Sequence, residues 1–380
     1  MLVERHPPSA QGCRVLLVGG GTGGHVSPLL AIAEALRERD PNTAFLFLGG
    51  RRGLEADLVG AAAIPFHATV MPSLRDPDSR LSLVTRGLLM PIASVDALGQ
   101  IIRFKPDVCC TTGGLVSLPI VLAARAARVP VYIWEGNAVP GRVNRLLAGW
   151  SQRIGTTFEA SLRVLPRART TLAGNPIRRS LLHWTRESAR ESLGLPLDAR
   201  VVFVTGGSQG SAAINAAVSG ALARLLRRAY VIHHTGTANL AQAEAKRLTL
   251  AEDQRERYRV FGFLREEMGA ALAAADLVVG RASSSSIAEP LAFGVPLLLI
   301  PFAAAADAHQ SANARDVAEK NAAIVLPESQ LDPDRLVATV SGLLDDPSRL
   351  ARMAAAARAA GRPDAATAIA ADLRSLGGCG

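Results

Sequence analysis

The feature that most constrains this chain is a repeat of plan. Val15-Leu16-Leu17-Val18 is followed by GGGTGG at residues 19–24 and then by LLAIAEALRER, where Leu29, Ile32, Ala33 and Leu36 keep helical spacing. The same strand, glycine turn and helix return 186 residues later, with Val201 answering Val15: Val201-Val202-Phe203-Val204, TGGSQG, then SAAINAAVSGALARLL. Later pieces pair as well, KPDVCCTTGG and VPVYIWEGN in the first half with AADLVVGRASSSS and VPLLLIPFAAAAD in the second. Each half alternates apolar strands with helices, which predicts an α/β protein of two Rossmann-like domains with doubly wound parallel sheets. Such sheets bind ligands beyond the carboxyl ends of their strands, so two facing domains are expected to set both glycine turns on one cleft.

A chain of 380 residues is long enough for two cores. The Gly-Asn-Pro turn of GNPIRRSLLHW ends the first alternating series, which divides the chain into 1–175 and 176–362 and leaves the helix within 363–380 open to pack back on the first domain. Lys and Arg outnumber Asp and Glu by 42 to 33, a net charge of +9 that favours anionic partners. No aromatic and basic interleaving or zinc-finger spacing is present, so phosphorylated small molecules and an anionic membrane surface rank above nucleic acid. Cys13, Cys109, Cys110 and Cys379 form no C-x-x-C and no even spacing; neither a disulfide framework nor a metal site is expected, and a reducing compartment fits. The N-terminus lacks the apolar core of a signal peptide, and no run of about 20 apolar residues occurs, so the expectation is a cytosolic chain with at most peripheral membrane contact.

A glycine turn opening a helix suits an anion, because unblocked N–H groups and the helix dipole point outward. Gly19, Gly21 and Gly24 do spell G-x-G-x-x-G. A dinucleotide site also wants an acid at the end of the second strand, and AFLFLGGRRG ends in glycines and arginines, which argues against a nicotinamide oxidoreductase; no Gly-Lys-Ser/Thr follows to make a Walker A loop. His25, at the helix start, reads either as a residue bonded to its own turn or as a general base, since a helix N-terminus favours the neutral imidazole. His233 and His234 read as a strand end whose side chains point apart, not as a chelating pair. Asp76-Pro77-Asp78 and Asp332-Pro333-Asp334 read as proline turns. Glu289 in SSSSIAEP reads either as a helix-start cap or as a carboxylate for a ribose diol.

Eight segments in order, among them GGTGGHVSPLLAIAEAL, GLEADLV, WEGNAVPGRVN, GNPIR, GGSQGSAAIN and PFAAAADAHQSANA, make the chain similar to the MurG family of bacterial peptidoglycan glycosyltransferases. The resemblance spans nearly the whole chain and implies the GT-B fold. It implies an inverting transfer of N-acetylglucosamine (GlcNAc) from UDP-GlcNAc to the C4 hydroxyl of the N-acetylmuramic acid (MurNAc) of lipid I, giving lipid II, without cofactor or obligatory metal. It assigns the donor to the second domain, with Ser208 at the diphosphate and Arg178 on the donor. Glu289 falls at the ribose, Ser284, Ser285, Ser286, Ile287 and Ala288 along the phosphate and uridine loop, Gln310 at the sugar, and backbone of Leu264 at uracil. Thr22, Gly23 and Gly24 match the loop that meets the lipid diphosphate or the transferred sugar, His25 the proposed base, and Asn137 and Asn144 polar residues of the cleft. Leu115 and Gly136 stand where the family usually has Tyr and Gln.

The stretch from Leu74 to Lys105 mixes LSLVTRGLLMPIASV with Arg75, Arg80, Arg86, Arg103 and Lys105, which suits either anionic headgroups or a helix packed on its own sheet. With a lipid-linked substrate, the expected place is the cytoplasmic face of the plasma membrane. The competing readings are another GT-B UDP-sugar enzyme, such as a glycolipid synthase or a UDP-GlcNAc 2-epimerase, and a non-catalytic nucleotide-sugar or lipid-binding protein.

Overall fold

The computed structural model describes residues 12–20, 23–50, 55–70, 83–265, 267–303, 305 and 308–379. The chain forms two units, residues 1–178 with 364–380, and residues 179–363.

The first unit is built on β1 (Arg14–Val18), β2 (Ala44–Gly49), β3 (Phe66–Ala68), β4 (Val108–Thr111), β5 (Val131–Glu135), β6 (Arg153–Thr156) and β7 (Thr170–Leu172). They pair in parallel in the order β3-β2-β1-β4-β5-β6-β7. The crossovers carry α1 (Gly23–Arg39), α2 (Glu55–Ala61), α3 (Leu83–Phe104), α4 (Ser117–Ala126) and α5 (Arg142–Leu147). Alternate residues of β1 feed two cores: Val15 and Leu17 pack with Leu29, Ile32 and Leu36 of α1, whereas Leu16 and Val18 pack with Ile101, Ile120 and Val121. Both faces are covered, which is why the strand reads as a continuous apolar run.

The second unit repeats the plan with β8 (Val201–Thr205), β9 (Tyr230–His234), β10 (Tyr258–Phe261), β11 (Leu277–Gly280), β12 (Leu297–Leu299) and β13 (Ala323–Val325), parallel and ordered β10-β9-β8-β11-β12-β13. Its helices are α6 (Arg179–Leu182), α7 (Arg186–Ser192), α8 (Ala212–Leu226), α9 (Leu240–Leu248), α10 (Glu252–Arg255), α11 (Glu267–Ala274), α12 (Ser284–Phe293), α13 (His309–Glu319), α14 (Pro333–Leu344) and α15 (Pro347–Ala360). Arg190 of α7 is fully buried, and its guanidinium meets the carbonyls of Ala274, Pro196, Leu197 and Ala199 and the Asp276 carboxylate at 2.6 to 3.2 Å.

The last helix, α16 (Ala365–Gly377), packs on α1 and buries Ala365, Ala366, Ile369, Ala370 and Leu373. Arg374 pairs with Asp40 at 3.2 Å and Arg153 with Asp372. Gly378, left-handed at φ 68°, turns the chain end so that Cys379 reaches Cys13 and the two form a disulfide. This corrects the expectation of no disulfide: at a sequence separation of 366, nothing local in the sequence marks the pair, and only the return of α16 to β1 brings them together. Among the described residues no helix is long and apolar enough to cross a membrane.

Candidate active site

In the first unit, β1 runs into buried Gly19 and Gly20, and α1 opens at Gly23. Gly21 and Thr22 lie outside the described residues; Gly24 is exposed. His25 is half-buried and tied to the turn after β4. Its Nδ1 lies 3.2 Å from the Thr112 carbonyl oxygen, while Thr112 Oγ1 donates to the His25 carbonyl at 3.0 Å. A carbonyl can only accept, so the neutral ring carries its hydrogen on Nδ1 and its lone pair on Nε2.

The same Thr112 carbonyl lies 3.5 Å from Asn144 Nδ2, which donates at 2.8 Å to Glu135 Oε2. Glu135, 3% exposed at the end of β5, also accepts from the Gly141 N–H at Oε2, and from the N–H and Nδ2 of Asn137 at Oε1, at 2.8 to 3.3 Å. One carboxylate thus holds the 137–144 loop. Gly113, at φ 86°, leaves no space for a side chain, since a Cβ there would fall on the Asn144 carboxamide. The Asn144 Oδ1 is buried with no hydrogen-bond partner among the described residues. His25, Asn137 and Asn144 are therefore brought together, through Thr112 and Glu135, neither of which the sequence reading singled out. Glu135 offered one signal, an acid ending an otherwise apolar strand.

In the second unit, the Gly207 N–H donates to Thr205 Oγ1 at 3.1 Å as β8 enters its glycine turn, and Ser208 is exposed on that turn. Gly210, at φ 74°, passes so close to the Thr235 carbonyl that no side chain fits. Ser211 caps α8 by accepting from the Ile214 N–H. Behind that cap lies Arg281, 8% exposed, which donates to Ser211 Oγ at 2.7 Å, to Glu328 and to the Ile300 carbonyl. The sequence reading passed over Arg281, although a lone arginine ending an apolar strand marks it.

At α12 the cap is Ser283, whose Oγ accepts from the Ser286 N–H at 3.3 Å. Ser284, Ser285 and Ser286 form the first turn, half-buried, with Ala288 half-buried behind them. Ile287 is fully buried and donates its N–H to the Ser283 carbonyl. Glu289 lies beyond the first turn, so the helix-start capping reading of it is replaced: Ser283 does that work. Gln310 Oε1 accepts from Ala282 N at 3.2 Å and Phe302 N at 2.9 Å, tying together the loops after β11 and β12. Leu264 is buried after β10, and Arg178 is exposed at the end of the first unit's main segment.

His233 and His234 point to opposite faces of the second sheet, and burial holds both imidazoles below their usual range. Asp332 caps α14 by accepting from the Arg335 N–H; Asp76 and Asp78 lie outside the described residues, as do Leu74, Arg75 and Arg80, and the Arg86 side chain.

Two Rossmann-like units with parallel sheets of seven and six strands are the architecture of the GT-B class of glycosyltransferases. The model of the glycosyltransferase family 28 N-terminal domain matches residues 15–156, and that of the family's C-terminal domain matches residues 201–369. The chain belongs to this family and is a glycosyltransferase. It is 37% identical, over 97% of its length and 99% of the relative's, to the UDP-N-acetylglucosamine--N-acetylmuramyl-(pentapeptide) pyrophosphoryl-undecaprenol N-acetylglucosamine transferase of Desulforudis audaxviator. It is 40% identical, over 94% and 97%, to the protein of that name from Moorella thermoacetica. The crystal structure of Acinetobacter baumannii MurG superposes with a TM-score of 0.76 at 25% identity, over 96% of this chain and 99% of that one.

Proposed function

We propose that the chain moves GlcNAc from UDP-GlcNAc to the C4 hydroxyl of MurNAc in lipid I, giving lipid II with inversion. The observation that carries this reading is the end-to-end likeness to relatives whose names state both donor and acceptor. The relatives named above are transferases.

In this mechanism His25 Nε2 takes the proton of the acceptor hydroxyl as its oxygen attacks the anomeric carbon, and the bond from that carbon to the diphosphate oxygen breaks. The Nδ1 contact to Thr112 supports this role, because it leaves the lone pair on the other nitrogen. The second unit takes UDP: Ser208 and the N-terminus of α8, with Ser284, Ser285 and Ser286, receive the diphosphate charge on fixed N–H dipoles, and Arg178 adds a cation. Ile287 and Ala288 back that loop, Glu289 takes the ribose hydroxyls, backbone of Leu264 the uracil, and Gln310 the sugar. Thr22, Gly23, Gly24, Asn137 and Asn144 meet the lipid diphosphate and the sugars.

The reading extends to peripheral attachment at the cytoplasmic leaflet. Ile92, Val95 and Ile102 are exposed at spacings that share one face of α3, with Arg103 and Lys105 exposed beside them. Flotation with vesicles tests this, and equal recovery with neutral and anionic lipid contradicts it. The activity itself is tested by incubating labelled UDP-GlcNAc with a lipid I analogue. Labelled disaccharide lipid is the expected product, and bound donor without transfer contradicts the reading.

A further inference from the structure

The two histidines that end β9 differ in one respect. His233 is satisfied at both nitrogens, with Nδ1 2.7 Å from the Tyr258 hydroxyl and Nε2 3.0 Å from Asn215 Oδ1. His234 is 1% exposed, and its Nε2 is buried with no hydrogen-bond partner among the described residues. Its Nδ1 lies 3.1 Å from Thr205 Oγ1. That hydroxyl accepts the Gly207 N–H and, among the described residues, has His234 Nδ1 as the acceptor for its own proton; with Thr205 donating to Nδ1, the neutral ring keeps its hydrogen on Nε2. Burial favours the neutral form. Such an orphan N–H is costly, and native structures keep few of them.

The surroundings say what would satisfy it. His234 pairs in register with Thr205, where β8 enters the glycine turn, and with Phe261, where β10 leads to Gly262-Phe263-Leu264. The Phe263 ring is 52% exposed and stands edge-on to the imidazole, with centroids 6.3 Å apart and planes at 78°, and the Arg265 guanidinium lies 5.9 Å from the Phe263 ring centroid. A buried donor beside an exposed aromatic ring suits a planar heterocycle that stacks on the ring and offers an oxygen at its edge.

We propose that His234 is a specificity residue for the donor: its Nε2–H donates to a ring carbonyl oxygen of the pyrimidine base, with Phe263 moving off the imidazole to lie against that base. The inference rests on the reading of the chain as a UDP-sugar transferase.

The test compares UDP with ADP, whose base has no ring carbonyl, by calorimetry on the whole protein. In His234→Leu the Kd for UDP is expected to rise about tenfold, as does the KM for UDP-GlcNAc, with kcat and the Kd for ADP little changed. His234→Gln, which keeps a donor, is expected to recover most of the affinity. In the unaltered protein, UDP should shift the Nε2–H resonance of His234 and slow its exchange with solvent. An unchanged Kd for UDP in a folded His234→Leu protein overturns the proposal, as does an equal loss for UDP and ADP or an unmoved Nε2–H signal at saturating UDP. A protein that binds neither UDP nor UDP-GlcNAc before any substitution instead contradicts the transferase reading itself.

Discussion

His25 Nδ1 lies 3.2 Å from the carbonyl oxygen of Thr112, and Thr112 Oγ1 closes the pair by donating to the His25 carbonyl at 3.0 Å. The first contact sets the tautomer, and the two together orient the ring. The carbonyl of Thr112 is in turn placed by Asn144, and Asn144 by Glu135. Positioning of the imidazole therefore reaches back to a carboxylate that need not touch either substrate.

Glu135→Gln tests that chain of contacts. The carboxylate accepts four N–H hydrogens, and an amide turns one of its acceptor oxygens into a donor facing them. We expect kcat to fall by roughly tenfold to a hundredfold while the Kd for UDP stays within about threefold. Steady-state kinetics with calorimetry checks it, and an unchanged kcat in a folded variant would show that the 137–144 loop does not govern His25.

Arg190 makes its contribution to stability alone. Its buried guanidinium is the shared donor for four carbonyls and Asp276, so Arg190→Met strands several backbone acceptors and leaves the half-buried Asp276 to Arg186 and the Val201 N–H. A loss of about 3 to 5 kcal/mol is expected in urea unfolding followed in the second unit. A loss below about 1 kcal/mol would mean that water replaces the arginine.

His233 supplies a pH dependence with a definite sign. Burial, with a smaller contribution from His234, lowers its pKa from 6.5 to about 4. Between those values the unfolded chain binds the proton and the folded one does not, so stability is complete above pH 6.5 and declines as pH falls toward 4. The melting-temperature gap between the unaltered protein and His233→Gln should narrow from pH 7 to pH 4.5. A constant gap would contradict the buried neutral imidazole.

The thiols allow a chemical check. Burial pushes Cys109 up to about 12 and Cys110 well above its ordinary value, and Cys13 is bonded to Cys379. Iodoacetamide at pH 8 should label none of the four in the native protein, and after mild reduction Cys379 and Cys13 before the other two. Early labelling of Cys109 would contradict the packing of β4.

Much of the architecture was legible because it is periodic. The alternation of Val15 and Leu17 against Leu16 and Val18 and the strand-turn-helix repeat are local, and they predicted both sheets. The site was legible only as side chains. His25, Asn137 and Asn144 could be named, but the atom that links two of them is the backbone carbonyl of Thr112, which no residue type announces. The four consecutive serines show the same limit: any one of them can cap a helix, and only the position of its first turn selects Ser283. Cys13 and Cys379 failed for a third reason, since their meeting depends on where the last helix docks.

The most direct measurement is turnover of His25→Ala with UDP-GlcNAc and a lipid I analogue, alongside its affinity for UDP. If His25 removes the acceptor proton, kcat falls by roughly a hundredfold or more while UDP binds within about threefold of the unaltered protein. Near-normal turnover in that variant would contradict the account.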